Sequence, residues 1–458
     1  MGLFAMAANA QDTQSVIILT GAMGTTPSGS YLSYSSTITV PTTTSSSAIS
    51  TSVVVSTIVS GTNTRTTTLG TMTIFGVGSV MAGNTTGTST RTTDSQVILS
   101  GRPHTTTAVN GTSNATSTST SSSAEPTNTT PCNNYPEFCS RAYGNITEVA
   151  AHNSPFVKAG NAAANQALDV TTQLNDGIRL LQGQVHFNGS VPHFCHSSCD
   201  ILDVGPITEY LGKVYDWVSS HPYDVVTILI GNGAYDNGSY PPVTDYAPFL
   251  EETGLVQYAY LPPKIPMAIT DWPTLGSMIL TGKRVVFFMD YNANQTAVPY
   301  VLDEFSQMWE TPYDPTNRSF PCTLQRPPGL STADAVDRLY MANHNLNYDI
   351  SILGNSLLVP NIPLLNITND NGTEFGSLGL SAQQCNTTWN YPPKFLNVDY
   401  YNVGNGTVFD VAAKYNNVTY NRVCCGKAAS AASGLHEIVR RSAVLLAVCM
   451  VGVSWLLL

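Results

Sequence analysis

The sequence predicts an α/β fold, a (β/α)8 TIM barrel, preceded by a low-complexity Ser/Thr-rich region. Three observations lead there. Composition changes sharply at Cys132. Downstream of it, strand-like and helix-like periodicities alternate through about 300 residues. No Gly-rich phosphate turn follows the first of these strands. Repeated β-then-α units argue for a parallel sheet, and seven or eight of them suit a closed barrel. An open doubly wound sheet is the alternative. The chain divides into residues 1–10, 11–130, 131–427 and 428–458.

Residues 1–10 read as a short secretory signal. Leu3 to Ala7 is apolar, and Ala8-Asn9-Ala10 fits a small-residue cleavage site, although no basic start precedes it. Residues 11–130 are dominated by Ser and Thr, as in TSTSTSSSAEPTNTTP. Such a segment buries too little apolar surface to offset the entropy of ordering it, and it reads as an O-glycosylated stalk. Within it, SVIILTGAMGTT (15–26) and SQVILSGRPHTTT (95–107) are similar β-prone runs, imperfect repeats able to form some sheet.

In 131–427 the expected strands are Val149 to Asn153, Ile178 to Val185, Val225 to Asn232, Met267 to Asp271, Arg284 to Tyr291, Leu339 to His344 and Phe395 to Tyr401. Helical spacing marks Ala164 to Asn175, Ile207 to Ser219, Tyr300 to Trp309 and Thr407 to Asn416.

Residues 428–458 carry a run of small residues (Ser430 to Gly434), a polar spacer with Arg440 and Arg441, and an apolar tail from Ala443 to Leu458. That is the pattern of a GPI-anchor signal. A transmembrane anchor is the alternative, but the tail is shorter than the roughly 20 residues a spanning helix needs. Fourteen Asn-x-Ser/Thr sequons, from Asn84 to Asn417, agree with secretion. So do the cysteines. Of 9, Cys449 lies in the tail, and the other eight allow up to four disulfides in an oxidising compartment. Zinc is the rival reading at Cys195 and Cys199, which have His193 and His196 beside them. The net charge of -11, with 11% charged residues and no basic patch, excludes nucleic acid as a partner. The 42% hydrophobic content is ample for a core.

In a barrel, functional side chains sit at the C-terminal ends of strands. The stretch QLNDGIRLLQGQVHFNG (173–189) sends Gln182, Gln184 and His186 to the same side as Ile178 and Leu180. The other strand ends offer His152-Asn153, Gly231-Asn232, Asp290-Tyr291 and Asn343-His344-Asn345. The mouth is thus expected to hold histidines and amides with one prominent carboxylate, Asp290. Asp290 is a candidate to orient a histidine or bind a substrate hydroxyl. Arg179 faces away from the two glutamines, and Lys158 is a weak candidate to reach the mouth from a loop. His186 and His193 read as loop residues, and His221 as a helix terminus.

The series AHNSPF, QLNDGIRLLQGQVH and CHSSCDILDVGPITEYLGKVYDWVSSHPYDVVTILI resembles the X region of phosphatidylinositol-specific phospholipase C. It is most similar to secreted fungal-type phospholipase-C-like phosphodiesterases. The resemblance covers about Val149 to Asn232, with VVFFMDY and YMANHNLN beyond it. It implies phosphodiester cleavage with His152 as general base and His196 as general acid. Imidazole titrates near neutrality, which suits both roles. In the family, carboxylates on the second strand hold calcium, or an arginine there replaces it. Here Gln182 and Gln184 occupy those positions and Gly231-Asn232 stands where another carboxylate is expected, so the residues call for no metal and no cofactor. Asn153, Gln182, Gln184, Asn232, Asp290 and His344 are the candidate substrate-binding residues.

The expected function is phosphoric diester hydrolysis at the cell surface on a phosphodiester or phosphoinositol-type substrate, with the membrane reached through a GPI anchor. A different class is a non-catalytic surface protein that binds a polyol or cell-wall glycan through its amides. A glycoside hydrolase needs two opposed carboxylates, and Asp290 shows no partner in the sequence.

Overall fold

The computed structural model of the chain describes residues 31–34, 36–40, 45–60, 63–78, 96–98, 130–235, 237–352 and 355–426. The expected signal at 1–10 and the anchor signal at 428–458 lie outside the described residues. Pro41–Thr127 forms a unit of its own. Its described part is an antiparallel sheet in which Ser45–Ser60 pairs with Asn63–Gly78, which pairs with Gln96–Ile98. The sequence allows some sheet within this Ser/Thr-rich region, and Val, Ile and Thr suit a pleated surface.

The second unit comprises Met1–Val40 and Asn128–Leu458. It is a mixed α/β fold built on a curled parallel sheet. Its strands are β1 (Glu148–Ala151), β2 (Leu180–Asn188), β3 (Val226–Asn232), β4 (Val285–Met289), β5 (Val301–Asp303), β6 (Met308–Glu310), β7 (Leu339–Asn343) and β8 (Phe395–Val398). They lie side by side in the order β5-β4-β3-β2-β1-β8-β7-β6, every neighbouring pair parallel. That is the circular order of an eight-stranded barrel. Among the described residues no ladder joins β5 to β6, so the ring is open at that seam. The reason is chain length. A parallel pair needs a crossover of a dozen or more residues, and only Glu304–Gln307, one helical turn, separates these two strands.

The region Tyr300 to Trp309 therefore differs from the helix its spacing predicts. It is two three-residue strands around one turn. Every residue from Tyr300 to Thr311 is buried, so its apolar positions satisfy either periodicity. Met267 to Asp271 also differs: a 3-10 turn occupies Ile269–Asp271, and a two-residue strand precedes it at Lys264–Ile265. The helix expected from Ala164 is confined to Val170–Asp176, where the Asp169 carboxylate accepts from the Thr172 N–H as an N-cap.

Alternation along the strands sorts the core into two layers. Ala150, Leu180, Leu229, Phe288, Leu302, Met308, Met341 and Phe395 pack together inside the curl. Val149, Leu181, Ile228, Phe287, Val301, Tyr340 and Leu396 pack outward with Leu211, Val214 and Leu250 of the helices Ile207–Ser220 and Val243–Glu252. Ile178 belongs to the outer layer, because β2 begins only at Leu180. Past the sheet β2 runs on and turns back as the hairpin strands Val191–Cys195 and Asp203–Pro206.

Four disulfides join Cys132 to Cys139, Cys195 to Cys199, Cys322 to Cys385 and Cys424 to Cys425. The zinc reading fails on this point, since both candidate thiolates are bonded to each other and His193 is paired with Asp203 at 2.8 Å. Ten sequons fall on described residues of this unit, and only Asn386 among them is not exposed.

The end of the curl opposite the mouth is plugged by a buried ion pair. Lys394 Nζ lies 2.6 Å from Glu148 Oε2 and 4.1 Å from the Tyr143 ring centroid. Asn133 Nδ2 donates to Glu148 Oε1 at 2.5 Å. Burial lowers the Lys394 pKa and Glu148 opposes that fall. Removing one partner strands a buried charge. Lys394→Met is expected to lower stability to urea unfolding by about 3–5 kcal/mol, and adding Glu148→Gln is expected to recover most of it.

Candidate active site

The C-terminal ends of the strands surround a cavity of about 350 Å³. His152, just after β1, and His196, just after the hairpin strand that doubles back on β2, both line it, and both are more than nine-tenths buried. β1 and β8 are neighbours, so the residue after β8, Asp399, sits behind His152. Its Oδ1 lies 2.7 Å from His152 Nδ1. Asn165 Nδ2 donates to the same oxygen at 2.9 Å. Gln166 Nε2 donates to the carbonyls of His152 (2.8 Å) and Val398 (3.0 Å), tying the two strand ends together. On the other ring nitrogen, Asn345 Nδ2 is 3.4 Å from His152 Nε2.

The two rings are driven in opposite directions. Burial opposes charge on His152, but the charge and hydrogen bond of Asp399, joined by Asp314 and Glu310, outweigh it and raise its pKa. His196 has no such carboxylate. Burial, then the charge on His152, pushes it down to about 4. Its ring stands edge-on to Phe156 at 5.2 Å, and its Nδ1 is 3.1 Å from Ser197 Oγ.

The glutamines of β2 explain the geometry of both histidines. Asn153 and Ser197 directly follow His152 and His196, and both have positive φ, +48° and +58°. Non-glycine residues rarely adopt this conformation. Gln182 Oε1 accepts from the Asn153 N–H at 2.8 Å, and Gln184 Oε1 accepts from the Ser197 N–H at 2.7 Å. Two side chains one alternation apart thus hold the two turns that aim the rings. Their oxygens are engaged by backbone, so the NH2 is the remaining polar group of each of these two cavity-lining side chains.

The other expected site residues divide. His186 lines the cavity from β2 itself rather than from a loop. Burial lowers its pKa, and its ring packs so closely on Gly233 that a Cβ there would come within 2.5 Å of it. Asn232 borders the cavity, but its side chain is engaged. Nδ2 donates to the carbonyls of Pro241 and Tyr291 at 2.8 and 2.9 Å, and Oδ1 accepts from the Tyr246 hydroxyl at 2.8 Å. His344 is not at the mouth. Its neighbours Asn343 and Asn345 point to the site side of β7, so His344 packs outward on Phe320 at 3.7 Å, where burial pushes its pKa down to about 3. Lys158 is exposed and does not line the cavity. Arg179 is buried at the far end of β2, 2.7 Å from Asp224. His221 caps the C-terminus of helix Ile207–Ser220.

Asp290 orients neither histidine. Its Oδ1 accepts from the N–H groups of Asn232 (2.7 Å) and Tyr291 (2.8 Å), and its Oδ2 is 3.4 Å from Arg326 Nη2. Nor is it the single carboxylate of the mouth. Glu304, Glu310 and Asp314 line the cavity with it. Burial pushes Asp290 and Asp314 up to about 6, and burial with the nearby Glu310 raises Glu304 well above the carboxylate range. Arg326 answers them. Its Nη1 is 2.9 Å from Glu310 Oε2, its Nη2 donates to the Tyr291 hydroxyl at 2.9 Å, and its guanidinium lies 4.8 Å from the Phe305 ring and 4.5 Å from the Tyr313 ring. None of Arg326, Glu304, Glu310, Asp314 or Asp399 was singled out from the sequence. A calcium ion at the position the resemblance implies does not fit these residues. The oxygens of Gln182 and Gln184 are already engaged by backbone N–H groups, and a hard dication prefers several carboxylate oxygens.

Comparison with known proteins agrees with this frame. Residues 138–416, more than half of the chain, match the family PI-PLC X 1. An uncharacterized secreted protein of Arthroderma benhamiae is 55% identical over 351 residues, 75% of this chain and 78% of that protein. The PI-PLC X domain-containing protein 1 of the same organism is 39% identical over 275 residues, 60% of this chain and 86% of that protein. The solved phosphatidylinositol-specific phospholipase C from Listeria monocytogenes aligns with 64% of this chain and 98% of its own, at 11% identity and a TM-score of 0.40.

The opposed pKa values give a test that needs no substrate. NMR titration of the ring protons is expected to place His152 above 6.5 and His196 near 4. Asp399→Asn is expected to lower the His152 value, because burial then meets less opposition.

Proposed function

The chain belongs to the PI-PLC X family, and on that premise we propose that it is an extracellular phosphodiesterase in which His152, backed by Asp399, is the general base and His196 the general acid. The observation that carries this reading is the 2.7 Å contact between His152 Nδ1 and Asp399 Oδ1, made while the other face of the ring looks into a cavity shared with His196. The carboxylate holds the proton on Nδ1 and leaves Nε2 to accept one.

The reaction follows from that tautomer. A substrate hydroxyl next to the phosphodiester gives its proton to His152 Nε2 as its oxygen attacks phosphorus. The bond from phosphorus to the leaving oxygen breaks, and that oxygen takes a proton from His196. The products are a cyclic phosphate and a free alcohol, with no covalent enzyme intermediate. The NH2 groups of Gln182 and Gln184 would donate to the phosphoryl oxygens. The wall of Asp290, Glu310, Asp314 and Arg326 offers acceptors and donors for the hydroxyls of a polyol, which favours a phosphoinositol-type head group.

Secretion is supported by the four disulfides, the exposed sequons and the secreted relative. A signal at 1–10, a glycosylated stalk over 11–130 and a GPI anchor signalled at 428–458, bringing the domain to the membrane or wall, complete the proposal. One observation favours the second reading, a non-catalytic binder of polyols or wall glycans: the carboxylate wall repels a phosphate.

Turnover decides between them. With the purified chain and a phosphoinositol ester, His152→Ala and His196→Ala are each expected to lower kcat by roughly 100- to 10,000-fold. Saturable glycan binding that is indifferent to both changes, without turnover, would establish the binder. The productive form has His152 neutral and His196 protonated, the reverse of their pKa order and so a minor singly protonated form, and kcat/KM is expected to be bell-shaped, with limbs near 4 and above 6.5. Asp399→Asn lowers the base's pKa, so it is expected to move the alkaline limb to lower pH as well as reduce the maximum.

A further inference from the structure

The seam between β5 and β6 is covered by residues that precede the family region. Ile38 and Thr39 pair antiparallel with Ile265 and Lys264, and the Val40 N–H donates to the Pro263 carbonyl at 2.9 Å. Upstream of that ladder, the Tyr31 ring lies 5.0 Å from Phe305 and 5.4 Å from Tyr291. Its hydroxyl is 3.4 Å from the Tyr291 hydroxyl. Tyr34 is half-buried nearby, and burial followed by the charge of Asp303 raises its pKa.

These contacts converge on one group. Phe305 is in the turn that joins β5 to β6, the point where the ring fails to close. Tyr291 accepts a hydrogen bond from Arg326, and the Arg326 guanidinium stacks on Phe305. Tyr31 therefore packs on two of the aromatic side chains that fix the cation of the mouth. β5 and β6 are each three residues long, and among the described residues no ladder joins them. β6 carries the Arg326 backbone through an antiparallel bridge at Glu310, but the guanidinium beyond it is held by side chains.

We propose that Tyr31–Val40 is a working part of the site, a strap that closes the open seam and in which Tyr31 acts as a positioning residue for Arg326 through Tyr291 and Phe305. The strap lies outside residues 138–416, so the family region alone is incomplete in this chain. The 41–127 unit separates the strap from the rest of its own body in sequence, and the strap's own contacts hold it in place.

The test uses the full chain with Tyr31→Ala, Tyr31→Phe and, as a control, Ser33→Ala, whose side chain is exposed. Hydrogen exchange is read first. Tyr31→Ala is expected to speed exchange over 301–310 by about three- to ten-fold, the worth of one lost aromatic pair. β1 and β3 should be unchanged, and Tyr31→Phe and Ser33→Ala should behave as wild type. Kinetics are read second and rest on the proposed phosphodiesterase activity. Tyr31→Ala is expected to raise KM for a phosphoinositol ester by a similar factor while kcat and both pH limbs hold, and Tyr31→Phe to restore most of the KM. A general loss of folded protein would lower apparent kcat at constant KM instead. Unchanged exchange over 301–310 in Tyr31→Ala overturns the strap. If the wild-type chain turns over no phosphodiester, the functional reading fails, while the exchange result still decides the strap.

Discussion

The site depends on one contact, His152 Nδ1 to Asp399 Oδ1, which joins residues 247 positions apart. It exists because β1 and β8 are adjacent in register, with Ala151 opposite Val398, so the residues that leave the two strands meet at the mouth. Gln166 ties both strand ends through their carbonyls, which fixes the contact without using either side chain. Burial acts on both mouth histidines in the same sense. Only one of them has a carboxylate behind it, and that single difference sends their pKa values apart. The difference between the two rings is therefore a product of strand order.

The glutamines of β2 supply the complementary constraint. Each histidine is followed by a residue in the left-handed region, and a backbone N–H in such a turn needs an acceptor if it is not to be left unpaired. A carboxylate at either position would also accept, but it would bring a charge beside a ring whose protonation matters. An amide accepts with its oxygen and leaves a donor on the other side. The residues that look like a lost ion site are, in this chain, the supports of both turns.

Much of this was legible in the sequence. Period-two alternation placed Gln182, Gln184 and His186 on one side of a strand, and strand-end reasoning brought in His152, Asn153 and Asp290. The same rule contained more than was drawn from it. Phe395, Asn397 and Asp399 share one parity, which points Asp399 inward. Met341, Asn343 and Asn345 share another, which turns His344 away. The wall formed by Glu304, Glu310, Asp314 and Arg326 was hidden for a different reason. β5 and β6 are short and buried on all sides, so their apolar spacing fits a helix as well as two strands. With those strands unrecognised, the loop that carries Arg326 had no place at the mouth. The strap contact has no periodic signature, since a two-residue ladder and one tyrosine leave none.

The two walls of the cavity differ in what they can bind. The wall from β1, β2 and β7 carries imidazoles and amides, groups that donate or accept without a fixed net charge. The wall from β4, β5 and β6 carries four carboxyl groups around one guanidinium, with Asp290 and Asp314 held near 6 and Glu304 pushed toward its neutral form. A phosphoryl group placed against the acid wall would meet repulsion, whereas against the amide wall it meets donors. Hydroxyl groups have the opposite fit, because carboxylates accept from them strongly. A ligand that carries a phosphodiester on one edge and several hydroxyls on the other satisfies both walls at once, and turning it round satisfies neither. On this argument the acid wall does not weaken the phosphodiesterase reading. Under the proposed function it would set which way the substrate lies, with the phosphodiester on the amide wall beside His152 and the remaining hydroxyls on the acid wall.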